Sequence, residues 1–226
     1  MALNQQRWSD VPLHVLDFEG GVRTGVVEFG VTTLLGGEIV SVYTGLCAPL
    51  APIPLMDTQC HGLADRDLTG LRSFDAHWEY FVSLRSSGVF VAHNSSVEAR
   101  LLAATWPHPS AVPSVAEDGV ALAEWGPWVD TLRLARRWAP TLGDFRLGEL
   151  IRMLHLTERL DGLANRHCPA GRRHYHCAGY DALAAALVLR HLGGLEGRST
   201  LSLAHLLASS VGEAESSDFH QGELGF

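Results

Sequence analysis

Hydrophobic and polar positions follow the pattern of β-strands in the first part of the chain. Residues 12–18 (PLHVLDF) predict one strand, and the Val- and Thr-rich residues 22–35 predict a second, which ends at the turn Gly36-Gly37. Residues 38–47 (EIVSVYTGLC) predict a third strand. Because short turns join antiparallel neighbours, these segments predict a three-strand antiparallel meander.

From residue 71 onward, the apolar spacing indicates helices that alternate with strands. The predicted elements are an amphipathic helix within 71–84, a strand at 88–92, a helix beginning near 95, a strand end at 129–131 that leads into a helix, and helices near 147–155 and 178–193. A meander followed by alternating helices and strands predicts a mixed α/β sheet with helices on its faces.

Two stretches of the chain lack a regular pattern. Residues 106–127 contain several prolines and are longer than an ordinary connection, so they predict an irregular excursion. After Gly194, a weak helix (LSLAHLLA) precedes a small, acidic and polar segment that is typical of a flexible tail. We therefore expect one domain over residues 1–195, followed by this helix and tail over residues 196–226.

The composition is that of an ordinary soluble globular protein, with 226 residues, of which 46% are hydrophobic and 19% charged. No apolar run approaches the roughly 20 residues of a membrane span, and the start MALNQQRWSDV has no secretory signal. We therefore expect a cytoplasmic protein without a membrane partner, whose four cysteines, without a CxxC pair, are reduced thiols. The net charge of −8 argues against broad coating of nucleic acid but is compatible with an acidic metal site.

Asp17 and Glu19 form the first candidate site. Residues two apart on a strand share a face, so these carboxylates lie side by side while Phe18 turns into the core. Burying two unpaired carboxylates is unfavourable, and a divalent cation such as Mg²⁺ or Mn²⁺ removes that penalty. The alternative is a solvated strand end beside the turn Gly20-Gly21.

Glu98 is the second candidate. It follows an apolar run that stops at His93-Asn94, and Ser95-x-x-Glu98 has the form of a capping box, in which each side chain bonds a free backbone N–H at a helix start. Glu98 is therefore either a local helix cap or an acid placed at a strand end for chemistry.

His176 and Asp181 form the third candidate, at the start of the predicted helix DALAAALVLRHL. Five positions is not a same-face spacing on a helix, so we expect His176 in the loop and Asp181 in the first or second turn. There the carboxylate can hold a metal ion while the imidazole takes a proton from water. The alternative for His176 is an ordinary loop histidine.

Together these residues resemble the DEDDh family of proofreading-type 3′–5′ exonucleases. Asp17-x-Glu19 matches the first family motif, residues 91–102 match the second, and His176-x4-Asp181 matches the third, in the family's order and spacing. The supporting similarities are Val27-Glu28-Phe29-Gly30, Pro52-Ile53-Pro54, His61-Gly62-Leu63 and Asp130-Thr131-Leu132. The resemblance covers residues 12–193 and implies an α/β, RNase H-like, mixed five-stranded sheet flanked by helices.

The resemblance also implies a mechanism. Two divalent ions, Mg²⁺ or Mn²⁺, would lie about 4 Å apart, held by Asp17, Glu19, Asp181 and Glu98. His176 would accept the proton of the attacking water, and nucleoside monophosphates would leave from a 3′ end. The residues that the resemblance places at the substrate are Phe18, Gly20, Gly21, His61, His93 and Asn94. For His93 and Asn94, a purely local role in the turn is an equal alternative.

The chain departs from the family pattern at two motifs. Gly20-Gly21-Val22 stands where Thr-Thr-Gly is usual after the first motif. The sequence therefore does not predict which sugar or base the enzyme prefers in the terminal nucleotide. Glu98 stands where Asp is usual, and its additional methylene lengthens the reach of the carboxylate.

The most basic segment of the chain precedes His176 and contains Arg172 and Arg173, which could contact substrate phosphates. Two alternatives remain open. One is a solvated basic loop, and the other is a zinc site whose spacing matches no usual zinc finger, formed by His167, Cys168, His174 and Cys177.

The segment QGELGF looks like the QxxLxF motif with which bacterial replication and repair proteins dock on the sliding clamp. Its matching residues are Gln221, Leu224 and Phe226. A polar tail that presents Leu and Phe suits an apolar pocket on such a partner. The alternative is that these residues pack back on the domain or have no role.

The predicted function is a metal-dependent 3′–5′ exonuclease that acts on single-stranded DNA ends, tethered to the clamp in replication or repair. The same chemistry on RNA 3′ ends is the close alternative. A catalytically weak clamp-binding module, which Glu98 and the missing Thr-Thr would suggest, is the alternative of a different class.

Overall fold

The secondary structure was taken from a computed structural model, which describes residues 6–107, 111–115, 117, 119–195 and 197–211. The strands are β1 Leu13–Gly21, β2 Gly25–Leu35, β3 Glu38–Leu46, β4 Val89–Ala92, β5 Val112–Pro113, β6 Ala121–Leu122 and β7 Trp128–Asp130. The helices are α1 Leu55–His61, α2 Trp78–Ser87, α3 Ser96–Thr105, α4 Thr131–Trp138, α5 Leu147–Met153, α6 Thr157–His167, α7 Ala178–Gly194 and α8 Leu203–Ser210.

A five-stranded sheet in the order β3-β2-β1-β4-β7 forms the centre of the fold. β1, β2 and β3 pair antiparallel, whereas β4 pairs in parallel with both β1 and β7. The predicted mixed α/β sheet, with its meander followed by parallel strands, is therefore confirmed. Parallel pairing brings the carboxyl ends of β1, β4 and β7 to one edge, where the candidate site residues lie.

Helices cover both faces of the sheet. Val15 and its same-face neighbours lie beneath α7, which is buried along nearly all of its length and contacts β1, β2, α4, α5 and α6. A helix that is apolar all round is a central element rather than a surface one. On the opposite face, Leu16 and Phe18 pack with an aromatic cluster that includes Phe81 of α2.

The sequence prediction omitted α1 and α6. α1 follows Pro54 and ends at Gly62, which is left-handed (φ 77°), and it is too short to show helical periodicity. α6 buries Leu160, Leu163 and Ala164, whose spacing was sufficient to indicate a helix, although its Gly and Asn lower the intrinsic helix propensity. Within the predicted irregular excursion, β5 and β6 form a short antiparallel hairpin.

The helix predicted after Gly194 is present as α8. It packs on α4 and β7 with Leu203, Leu206 and Leu207 buried, so the packed part of the chain extends past residue 195. The predicted tail over residues 212–226 lies outside the described residues. None of the described helices combines the length and the apolar character that crossing a bilayer requires.

Candidate active site

Asp17 and Glu19 lie near the carboxyl end of β1, on the face that α7 covers. Their cross-strand partners on β2 are Gly30 and Glu28. Gly30 has no room for a side chain, because a Cβ there would overlap the carbonyl group of Ala178. This glycine therefore lets the start of α7 approach the strands closely, beside the two carboxylates.

The start of α7 contributes Asp181 in its first turn, with His176 in the preceding loop, as predicted. His176 is left-handed (φ 64°), and its backbone N–H donates to Asp181 Oδ2 at 2.8 Å. Asp181 Oδ1 is buried without a hydrogen-bond partner. Ligand atoms of Glu19, His176 and Asp181 all lie within 4.8 Å of one another, so a single ion or water can contact all three side chains.

Glu98 does not form the predicted capping box. The hydroxyl of Ser95 donates to Asp130 Oδ2 at 3.1 Å, and no side chain caps the start of α3. Glu98 is buried, its Oε2 has no hydrogen-bond partner, and its charge helps to raise the pKa of Asp17. The cap interpretation is therefore wrong, and the carboxylate remains available to the acidic group.

Burial and mutual repulsion raise the pKa of each of these acids. Desolvation, and then the charge of Asp181, raises the pKa of Glu19 to about 8. Desolvation raises the pKa of Asp181 to about 7 and that of Glu98 to about 8. Burial and the neighbouring carboxylates raise the pKa of Asp17 well above its ordinary value. Such a group is unfavourable in the fold until a cation neutralises it.

The donors present fit a divalent cation. Carboxylate oxygens are the ligands that Mg²⁺ and Mn²⁺ prefer. The buried oxygens of Glu98 and Asp181 that lack a donor have lone pairs directed at no protein group. A cation held by these acids would neutralise the repulsion between the carboxylates and would give the unpartnered oxygens a ligand to bind.

Glu28 and Arg172 form a buried ion pair beside the acids. Arg172 Nε donates to Glu28 Oε1 at 3.1 Å, and its Nη2 donates to Oε2. Arg172 Nη1 donates to the carbonyl of His61, and Glu28 Oε2 also accepts the N–H of Ala178 at 3.2 Å. Arg172 thus links β2, α1 and the start of α7. These bonds engage its guanidinium within the fold, and the predicted phosphate contact of Arg172 stays a prediction.

The rest of the basic segment is a structured loop. Arg173 donates to the carbonyl of Cys168 and to Asn165 Oδ1, each at 3.0 Å, and it is exposed. Its phosphate contact and the solvated-loop alternative both stay predictions. Across the described residues, the side chains close enough to share a metal ion are Glu19, His176 and Asp181. The alternative zinc site in the basic segment does not form there.

Phe18 and His93 are occupied within the fold. Phe18 makes edge contacts with Phe74 and Phe81, so its side chain is part of the core, as expected, and its substrate contact stays a prediction. The ring nitrogens of His93 bond to Thr131 Oγ1 and to the carbonyl of Phe145, each at 2.9 Å. Because a carbonyl only accepts, His93 Nε2 carries a proton, and burial lowers the pKa of the ring. His93 therefore connects the end of β4 to the segment after α4 through two hydrogen bonds.

Asp130 organises this edge of the sheet, and the sequence did not single it out as a site residue. Its carboxylate accepts five hydrogen bonds, from the backbone N–H groups of Asn94, Ser95, Leu132 and Arg133 and from the hydroxyl of Ser95. It thus caps α4 and also fixes the start of α3, which carries Glu98. Its place directly before α4 is a local capping signal that the sequence shows. Its bonds to the start of α3 join residues far apart in the chain, so the sequence does not predict them.

The remaining predicted substrate contacts lie around the acids and stay predictions. His61 is buried, and its Nδ1 accepts the N–H of Leu63 at 3.2 Å, while Nε2 has no partner. Gly20 lies at a bulge of β1 with φ 121°, where a Cβ would overlap the carbonyl of Gly25. Asn94 is left-handed (φ 71°) and exposed.

The predicted clamp contact cannot be placed in this structure. Gln221, Leu224 and Phe226 lie outside the described residues. Clamp binding therefore stays a prediction.

Comparison with known proteins gives the fold a name. No family model matches the chain. The chain is 28% identical over 137 residues, 57% of its length, to the PolC-type DNA polymerase III of Thermotoga maritima, and covers 9% of that polymerase. Exonuclease X in complex with 5′-overhanging duplex DNA has a TM-score of 0.62 and 23% identity, over 86% of this chain and 99% of its own.

A second solved structure extends the comparison. The nuclease domain of 3′hExo, a DEDDh family member bound to rAMP, has a TM-score of 0.62 and 12% identity, over 87% of this chain and 98% of its own. TM-scores of 0.62 over most of both chains establish a shared fold. The chain therefore has the fold of the DEDDh exonucleases, and the resemblance carried by its three motifs is confirmed at the level of the fold.

Proposed function

We propose that the chain is a metal-dependent 3′–5′ exonuclease that hydrolyses the terminal phosphodiester bond of single-stranded DNA and releases nucleoside monophosphates. The observation that carries this proposal is a group of four acids with raised pKa near the carboxyl end of β1, two of which, Glu98 and Asp181, are buried with an oxygen that has no partner. Its members are Asp17, Glu19, Glu98 and Asp181, with His176 beside them.

The proposed cofactors are two Mg²⁺ or Mn²⁺ ions. Asp17, Glu19 and Asp181 are the main proposed ligands, and Glu98, whose Oε2 lacks a donor, completes the second site. When bound, such ions lower the pKa of a water molecule and stabilise the developing charge on the leaving oxygen.

His176 is the proposed general base. Its backbone is held by the carboxylate of Asp181, while its ring lies exposed within 4.8 Å of the ligand oxygens of Glu19 and Asp181. A water between these side chains can donate a proton to the imidazole, which can pass it to solvent.

The choice of DNA as substrate rests on the similarities to a DNA polymerase and to Exonuclease X bound to DNA. The similarity to 3′hExo bound to rAMP favours RNA as the second candidate substrate. Both substrates present the same phosphodiester bond to the acids, so the difference lies in contacts with the sugar.

A labelled-oligonucleotide assay tests the proposal. Single-stranded DNA and RNA, each labelled at either end, are incubated with Mg²⁺, Mn²⁺ or EDTA, and the products are separated. The wild type is expected to release monophosphates from the 3′ end only with metal. Asp17→Asn is expected to lose activity on the order of 10³-fold, because transition-state stabilisation depends on the intact site. Glu158→Gln, an exposed acid on α6, is the matched control.

Two outcomes would refute the proposal. One is no monophosphate from DNA or RNA with either ion. The other is an Asp17→Asn variant as active as the wild type, which would indicate a contaminating nuclease and favour the alternative of a catalytically weak module.

A further inference from the structure

A cleft that begins at His93 and Asn94 and extends beyond the sequence motifs lies at the carboxyl edge of the sheet. It has a volume of about 530 Å³ and is lined by His93, Asn94, Leu132, Arg136 and the loop 143–147. We call it the α4–α5 cleft.

The α4–α5 cleft adjoins the acidic group on two sides. Asn94, on its wall, lies two residues after the end of β4 and four residues before Glu98. On the other side, Gly148 follows the cleft loop directly, and a Cβ there would lie 3.2 Å from the ring of Tyr175, the neighbour of His176. Both contacts place the cleft next to the elements that carry Glu98 and His176.

The cleft offers the groups that bind single strands. Phe145 is half-buried, and the exposed Arg136 places its guanidinium carbon 6.0 Å from the centre of that ring. The bond from His93 Nε2 to the Phe145 carbonyl, at 2.9 Å, fixes the loop that carries the ring. An aromatic face beside a cation suits a stacked base and its phosphate, whatever the base.

We propose that the α4–α5 cleft binds the nucleotide that precedes the scissile bond, with its base on Phe145 and its phosphate near Arg136. This inference rests on the proposed nuclease function. It implies that the nucleotide before the scissile bond is bound unpaired, because its base stacks on Phe145.

Two substrates distinguish the contribution of the cleft from the contribution of the acids. The p-nitrophenyl ester of thymidine 5′-monophosphate occupies only the terminal position, whereas a single-stranded oligodeoxynucleotide also spans the cleft. Phe145→Leu keeps an apolar side chain without an aromatic face, and Arg136→Gln removes the charge. Each is expected to raise KM for the oligonucleotide about 10-fold, within the range of one base stack, and to leave hydrolysis of the ester unchanged.

The control and the salt dependence sharpen the test. Arg159→Gln, an exposed arginine on α6, is expected to leave both substrates unaffected. Arg136→Gln is expected to reduce the slope of log binding constant against log salt by about 0.7, the value for one phosphate contact on a single strand. Melting temperatures of all variants identify any loss of folding.

Each outcome bears on one of the two proposals. An unchanged KM for the oligonucleotide in both variants, or equal losses on both substrates in a folded variant, would refute the cleft. Failure of the wild type to hydrolyse either substrate would instead refute the nuclease function. In that case, oligonucleotide binding measured by fluorescence anisotropy in EDTA, with and without Arg136→Gln, still tests the cleft.

Discussion

Two sets of buried acids lie at the same edge of the sheet and have opposite surroundings. Asp130 accepts bonds from the starts of two helices, and Glu28 is paired with Arg172 and the N–H of Ala178. Glu98 and Asp181 each keep a buried oxygen without a partner, and burial raises their pKa to about 8 and about 7.

The contrast is sharpest between Glu19 and Glu28, which are cross-strand partners on one face of the sheet. Arg172 donates two bonds to Glu28, whereas burial and the charges of Asp181 and Glu28 raise the pKa of Glu19 to about 8. The two glutamates therefore differ in their partners and not in their chemistry. Paired acids hold the loops in place, and acids without partners are those proposed to bind cations.

Removing the partner of Glu28 is expected to have the largest effect on stability. Arg172→Ala leaves a buried carboxylate unpaired and should lower the free energy of unfolding by about 3–5 kcal/mol in denaturant titrations. Arg152→Ala removes an exposed ion pair with Glu149 and should lower it by less than about 1 kcal/mol. Equal losses in the two variants would contradict a structural role for the buried pair.

Glu98→Gln separates the two roles that the sequence left open. We expect nuclease activity to fall about 10–100-fold, as for groups that support a metal site, while the melting temperature of the metal-free protein stays equal or rises, because an amide carries no charge. Activity and thermal melting are measured on the same preparation. A lower melting temperature with full activity would show that Glu98 serves the fold and not the metal site.

Asp130→Asn tests the opposite kind of acid. The amide keeps one acceptor oxygen but replaces the other with a donor, so bonds to the start of α3 or of α4 are lost. The expected loss of stability is about 1–2 kcal/mol, typical of a helix cap. An unchanged denaturation midpoint would show that these bonds are dispensable.

The same acids make the stability of the metal-free protein depend on pH. Because folding raises the pKa of Glu19 to about 8 and of Asp181 to about 7, their contribution is complete below their ordinary values near 4 and is lost as pH rises through the folded values. The melting temperature in EDTA should therefore fall between pH 5 and pH 8.

Metal binding should reverse this fall. Mg²⁺ or Mn²⁺ at ten times its Kd at pH 8 should stabilise the protein by about 1.4 kcal/mol. The same metal concentration should stabilise it less at pH 6, because protons compete for the same oxygens and raise the Kd. Asp181→Asn should weaken the difference between the two pH values. A metal effect independent of pH would argue against binding at these carboxylates.

The sheet and most helices near the site were predictable because their signals are local. Alternation within residues 12–47 and the apolar helix that begins near Asp181 depend on neighbours along the chain, and both are present in the structure. α1 was omitted because seven residues are too few for a periodic signal. The capping box at Glu98 failed for a related reason, since Ser95 bonds to a residue 35 positions away.

The sequence by itself determined which acids occur, in which order and at which strand or helix ends. Only the tertiary structure decided which of them have partners: Arg172 reaches Glu28 across 144 residues, and His93 reaches the Phe145 carbonyl across 52. The physical reason is that residue type and periodicity are properties of near neighbours in the chain. Desolvation and pairing, in contrast, depend on atoms that meet only when the chain has folded.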